Sequence, residues 1–203
     1  MSYISLVNIK EYLGVKTDTD DKLLESLRDE AEAYINRTTN RIFEADSGDS
    51  TRYYTPGVHT RGVTLYLDED LSEITTVLNG DSVEITSAQY TYEPFNRTQG
   101  GETVPIQEIS ILASSGKSWQ HDGTDPERTI SVAGKWGYAL NGATPDNIKS
   151  IMKRLVSWNY YQAQNKGTEL DRPIVSPEGI LLVPLAIPED VRDKLKPYMR
   201  GFG

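Results

Sequence analysis

Apolar residues along this chain change their spacing twice, and the changes divide it into helical, β-rich and extended parts. Near the N-terminus Leu6, Ile9 and Leu13 fall on one helical face, with Ser5 placed to cap the helix and Gly14 to end it. A polar turn follows. From Lys22 onward Leu23, Leu24, Leu27, Ala31, Tyr34, Ile35 and Thr38 recur at helical spacing, and Asn40 stops the second helix. Asp18, Asp20 and Asp21 stand where the partial positive charge of that helix's N-terminus favours anions. Beyond residue 50 the pattern becomes a partial alternation rich in β-branched and aromatic residues, which predicts strands over 51–55, 63–67, 73–78, 82–86, 90–92, 106–112 and 129–136. Asn79-Gly80, between two β-branched runs, reads as a tight hairpin turn. Helical spacing returns at Ile148, Ile151, Met152, Leu155 and Trp158, with Thr144 as the expected N-cap and Pro145 at the first helical position.

The last part is different again. Pro173, Pro177, Pro184 and Pro188 punctuate the stretch from Gly167, around the apolar run Gly179 to Ile187. Pro184 bars a regular helix and a central strand, which leaves an extended arm or an edge strand. Its few aliphatic side chains cannot offset the entropy of ordering it alone, so it needs contacts with its own core or with a neighbouring subunit. Both remain open. From Pro188 to Lys196 a short helix turns Val191 and Leu195 inward. The predicted class is α+β. A helical core, the N-terminal pair plus a helix near 146–165, is interrupted by an antiparallel β-rich insert at about 50–137, all within residues 1–166. Residues 167–203 form the arm and terminal helix.

Composition narrows the function. The 203 residues hold no cysteine, which removes disulfides, thiol catalysis and Cys-based zinc sites. No apolar run is long enough to span a membrane, and the N-terminus lacks the blocks of a signal peptide, so synthesis in the cytosol is expected. The two Asn-x-Thr matches, at Asn36 and Asn96, mean nothing without secretion. The net charge is −9, unevenly spread: residues 1–46 carry 6 basic and 10 acidic side chains, 47–147 carry 6 and 14, and 148–203 carry 9 and 6. A protein gripping nucleic acid by its phosphates would show a large basic surplus, so sequence-specific DNA binding is not expected.

The search for chemistry finds nothing specific. His59 and His121 lie in predicted loops without a nucleophile motif beside them, and no serine sits in a nucleophile elbow. Asp68, Glu69, Asp70 and Glu73 offer oxygen ligands to a hard cation but lack an EF-hand's spacing and glycine, and read as a charged turn. Gly134-Lys135 lacks the spacing of a phosphate-binding loop. No cofactor, metal or catalytic residue is assigned, and no repeat of fixed period appears.

The order of elements resembles the head–tail connector (adaptor, head completion) proteins of long-tailed bacteriophages. The residues that carry the likeness run from Ile9 to Val15 and from Asp20 to Glu44. It continues through Thr51–Gly57, Leu65–Asp81 and Ile130–Ala139 into the segment TPDNIKSIMKRLVSWNY. The large β-insert and the long arm depart from compact members. The resemblance implies a structural virion protein, not an enzyme, made in the bacterial host cytoplasm and placed in the virion neck. It implies a homo-oligomeric ring, usually twelve-fold, that docks on the portal protein and meets a tail-side or stopper protein. DNA would pass through it without sequence-specific binding, and no membrane is involved. The expected assembly residues are Lys149, Lys153, Arg154, Arg192, Lys194, Lys196 and Arg200 on the portal side. Ile180, Leu181, Leu182 and Val183 are expected in a strand added to the next subunit. Two rivals stand beside this reading: another tail or neck completion protein, and a wall-degrading hydrolase with two close carboxylates.

Overall fold

A computed structural model describes residues 2–99, 102–125, 127–139, 144–164, 174–175, 181–182 and 187–200. The chain forms two compact units, residues 1–40 with 146–203, and residues 41–145. The first is helical and the second is a sheet, which makes the protein α+β as the residue pattern predicts.

In the helical unit α1 (Leu6–Leu13) starts where Ser5 Oγ accepts the Asn8 amide at 3.2 Å. It ends at Gly14, whose φ of 73° lets the amides of Gly14 and Val15 close back onto the Glu11 and Lys10 carbonyls. Helix α2 (Asp21–Thr39) buries Leu24, Leu27, Ala31 and Ile35 along one stripe and stops at Asn40, which takes the left-handed conformation at φ 53°. Helix α3 (Asp146–Gln164) buries Ile148, Ile151, Met152, Leu155, Val156 and Tyr160, while Trp158 is half-buried. Thr144 does not cap α3. It is buried two residues ahead of the helix, its hydroxyl has no partner among the described residues, and the anion in the first turn is Asp146. The Tyr160 hydroxyl ties α3 to the start of α2 by donating to Asp20 Oδ2 at 2.6 Å.

The sheet unit contains β1 (Ser50–Tyr54), β2 (Thr60–Arg61), β3 (Thr64–Leu78), β4 (Tyr90–Glu93), β5 (Thr98–Gln99), β6 (Glu102–Thr103), β7 (Ile106–Ile111) and β8 (Ile130–Trp136). The main sheet runs β1-β8-β3-β7-β4, all antiparallel, with β2 paired to the start of β3, and β5 pairs with β6 in a separate two-stranded sheet. Strand β3 joins what alternation predicts as two strands. The acidic interval Asp68–Asp70 stays extended, and the pairing slips there: β7 holds Thr64 to Tyr66 and meets β3 again at Leu71, where β8 also joins and runs on to Leu78. Leu65, Leu71, Ile109, Ile130, Val132 and Trp136 make the centre of the core.

Asn79-Gly80 is not a two-residue hairpin turn, and residues 82–86 do not form a strand. A single bridge joins Leu78 to Glu84, the Asn79 amide reaches the Val83 carbonyl, and Ser82 carries the positive φ of 62°. The Asn79 side chain turns inward instead, donating to Ser118 O and accepting from the Gln120 amide, each at 2.9 Å. Gly80 is required by proximity: a Cβ there would run into the Gln120 backbone. The dipeptide serves the strap at 118–120.

In the last part of the chain, β9 (Ile174–Val175) and β10 (Leu181–Leu182) pair antiparallel with each other. Helix α4 (Glu189–Leu195) follows, with Val191 and Leu195 fully buried.

Candidate assembly surface

The basic residues singled out from the sequence fall on two helices of one unit and on the segment just after the second. On α3, Lys149 bonds Asp146 within its own first turn at 3.2 Å, Lys153 is half-buried, and exposed Arg154 reaches Asp190 of α4 at 3.4 Å. On α4, Arg192 and Lys194 are exposed, and Lys196 just beyond it pairs with Asp193 at 2.7 Å. Arg200 fixes the chain after α4 through its amide, which donates to the Thr39 carbonyl at the end of α2. Arg154 and the α4 cations are thus brought to neighbouring elements, and three of the seven are occupied by local carboxylates. Leu181 and Leu182 lie in β10, while Ile180 and Val183 lie outside the described residues.

Charge is also unevenly divided between the two units. The helical unit carries 14 Lys and Arg against 15 Asp and Glu, and the sheet unit 7 against 15. Nearly all of the net negative charge therefore belongs to the sheet unit.

The acidic interval on β3 is not a cation site. Asp68 accepts from the Tyr54 hydroxyl at 2.8 Å, Glu69 pairs with Arg52 at 3.1 Å, Asp70 with Arg41 at 2.6 Å, and Glu73 with Lys135 at 2.8 Å. Each carboxylate has its own partner, and among the described residues no three His, Cys, Asp or Glu side chains gather around a common point. Both histidines bond to backbone groups: His59 Nδ1 accepts the Thr55 amide at 3.0 Å, and His121 bonds the Asp122 carbonyl. A groove in the helical unit, lined by Tyr34, Leu155, Asn159 and Ile187, has a single carboxylate, Glu30, on its wall.

Burial pushes the Tyr54 phenol far above its ordinary value, and the charge of Asp68 adds to the shift. The unfolded chain ionises Tyr54 near pH 10 and the folded chain does not. The stability held by the neutral phenol is therefore complete below about pH 10 and is lost as pH rises beyond it. Tyr54→Phe is expected to flatten the fall of unfolding free energy above pH 10 by about 1.4 kcal/mol per pH unit. It costs about 1 kcal/mol at neutral pH for the lost bond to Asp68. Urea denaturation between pH 7 and 11.5 checks both signs.

What sequence reasoning missed is the solvent face of the sheet, because only the strand register discloses it. Arg61, Thr64, Ser110 and Thr91 stand in one row across β2, β3, β7 and β4, and Tyr66, Glu108 and Glu93 in the next. Glu93 and Glu108 are direct cross-strand partners.

The chain is similar to known proteins over part of its sequence and in its fold. Residues 3–94 match the family described as phage gp6-like head-tail connector protein, a span that covers α1, α2 and β1 through β4. The resemblance read from the order of elements is borne out there. Among solved structures, a chain from the neck of an empty gene transfer agent particle, computed with C6 symmetry, has a TM-score of 0.54 and 15% identity. It covers 99% of this chain and 92% of its own. A chain from the virion of a native gene transfer agent particle has a TM-score of 0.51 at 14% identity, with the same coverage. At these identities the likeness establishes a shared fold, large β-insert included. No curated protein matches the chain.

Proposed function

We propose that this protein is a neck component of a long-tailed phage or phage-like particle. In this reading it forms a homo-oligomeric, twelve-fold ring that docks on the portal, extends the DNA channel and presents its other face to a tail-side or stopper protein. The observation that carries the reading is the family match over residues 3–94, and the fold shared with neck and virion chains supports it. The protein acts as a structural part, without catalysis.

The acid excess of the sheet unit supports the passage of DNA. A unit with 7 basic and 15 acidic residues carries a net negative charge that repels phosphates, so a duplex slides past it without being held. The cations of α3, α4 and the segment after α4, Lys149, Lys153, Arg154, Arg192, Lys194, Lys196 and Arg200, form the portal-facing side. The stretch around Leu181 and Leu182 adds a contact to the next subunit. Size-exclusion chromatography of the protein mixed with its portal ring tests the reading. Co-elution as one assembly is expected, and separate elution at micromolar concentration would sink it. Deleting residues 168–203 should abolish the co-eluting peak; an unchanged peak removes the arm and α4 from the contact.

A further inference from the structure

The strands β2, β3, β7 and β4 form a run with two open ends, and the ends carry opposite chemistry. Among the described residues no further strand pairs with β2 or with β4. At the β2 end Arg61 is exposed and makes no ion pair among the described residues, although most other cations of this unit have a partner. Beside it Val58 and Val63 are 75% and 47% exposed. At the β4 end Glu93 lies opposite Glu108, neither is in an ion pair among the described residues, the Glu93 carboxylate accepts the Phe95 amide at 2.9 Å, and Phe95 is 68% exposed.

Each end is unfavourable alone. Like charges directly opposed across a ladder repel. Open strand edges and large exposed apolar side chains are where sheets associate. What one end lacks the other supplies, and both stand on one sheet face: the Arg61 row and the Glu108–Glu93 row are adjacent.

We propose that the two ends meet between copies of this chain. The β2 end of one subunit docks on the β4 end of the next, with Arg61 between Glu93 and Glu108 and with Val58 and Val63 against Phe95. The contact is heterologous, since each copy uses a different surface on each side, and such contacts close into rings. This inference rests on the ring reading above and names the surface through which neighbouring subunits join. A second copy is favoured over an unrelated partner because the complementary charge and apolar groups are both carried by this one unit.

The test uses the full chain assembled on its portal ring and scored for closed rings by negative-stain electron microscopy. The variants are Arg61→Glu, Glu93→Arg with Glu108→Arg, and all three together. Circular dichroism checks that each is folded. Reversing either end should lower the yield of closed rings at least about tenfold, because like charges then face each other across the contact. The triple variant, with both ends exchanged, should restore it. Rings in normal yield from either single-end variant would overturn the inference and leave the ring reading standing. So would a folded triple variant that forms none. If the unaltered chain forms no ring on the portal, the ring reading falls and this inference falls with it.

Discussion

Asp70→Ala is expected to cost the sheet unit about 3–5 kcal/mol, the loss typical of breaking a buried ion pair from one side. The Asp70 side chain is 2% exposed and that of its partner Arg41 is 8% exposed, with 2.6 Å between Arg41 Nη1 and Asp70 Oδ1. Arg41 also lies over the Tyr138 ring, 5.4 Å from its centroid. Removing the carboxylate takes the Asp70 charge away from a guanidinium that stays buried beside the Tyr138 ring. Arg41→Met with Asp70→Leu together should be far milder than either single change, because an apolar pair leaves no charge stranded. Urea denaturation of the three variants measures the difference. Equal losses for Asp70→Ala and the double variant would show that shape, not charge, is what this site requires.

Gly134→Ala is the second large effect. Gly134 lies in β8, the strand between β1 and β3, opposite Ser50 on one side and Ile74 on the other. A Cβ there would run into the Glu73 carbonyl oxygen and come within 3.0 Å of Leu71 Cδ1. The pairing of β3 with β8 slips on both sides of this point, so the backbones approach more closely than a regular ladder allows. Strain against backbone on this scale costs about 1–3 kcal/mol or more, since no side chain can swing away. Gly48→Ala is the control: nothing lies within 4 Å of a Cβ there, and the change should stay within about 0.5 kcal/mol. Thermal denaturation and soluble yield of the two variants read the contrast.

The helices could be read directly because their signals are local. Ser5, Gly14 and Asn40 mark ends by chemistry that needs no partner, and the stripes of α2 and α3 follow from spacing alone. The sheet was legible as a sheet but not in its details. Asp68 to Asp70 looked like a break because three acids in a row suggest solvent, yet Arg41, Arg52 and Tyr54, brought from other parts of the unit, answer them one by one. Asn79-Gly80 carried the strongest hairpin signal in the chain, and tertiary contacts with the 118–120 strap overrode it. Thr144 departs from its expected role for a similar reason, since a buried hydroxyl two residues ahead of a helix looks in sequence like a cap.

The candidate surface divides in the same way. Arg154 and the α4 cations could be named from the residue pattern, but not that Asp190 and Asp193 occupy two of them. Glu93 and Glu108 are distant in sequence, and only the β4–β7 register makes them partners. Arg61 is one exposed arginine among many until β2 is seen to end the run of strands opposite β4. The resemblance to a connector family lies in the order of elements, which no single residue carries, and the family match over residues 3–94 covers the first part of that order.

The central claim is that this chain forms a ring on the portal, and cryo-electron microscopy of the protein mixed with its portal ring tests it most directly. The account predicts a closed ring of this chain seated coaxially on the portal, with the acidic sheet units around a continuous channel. Portal rings that stay bare while the protein binds only to tail components would contradict it.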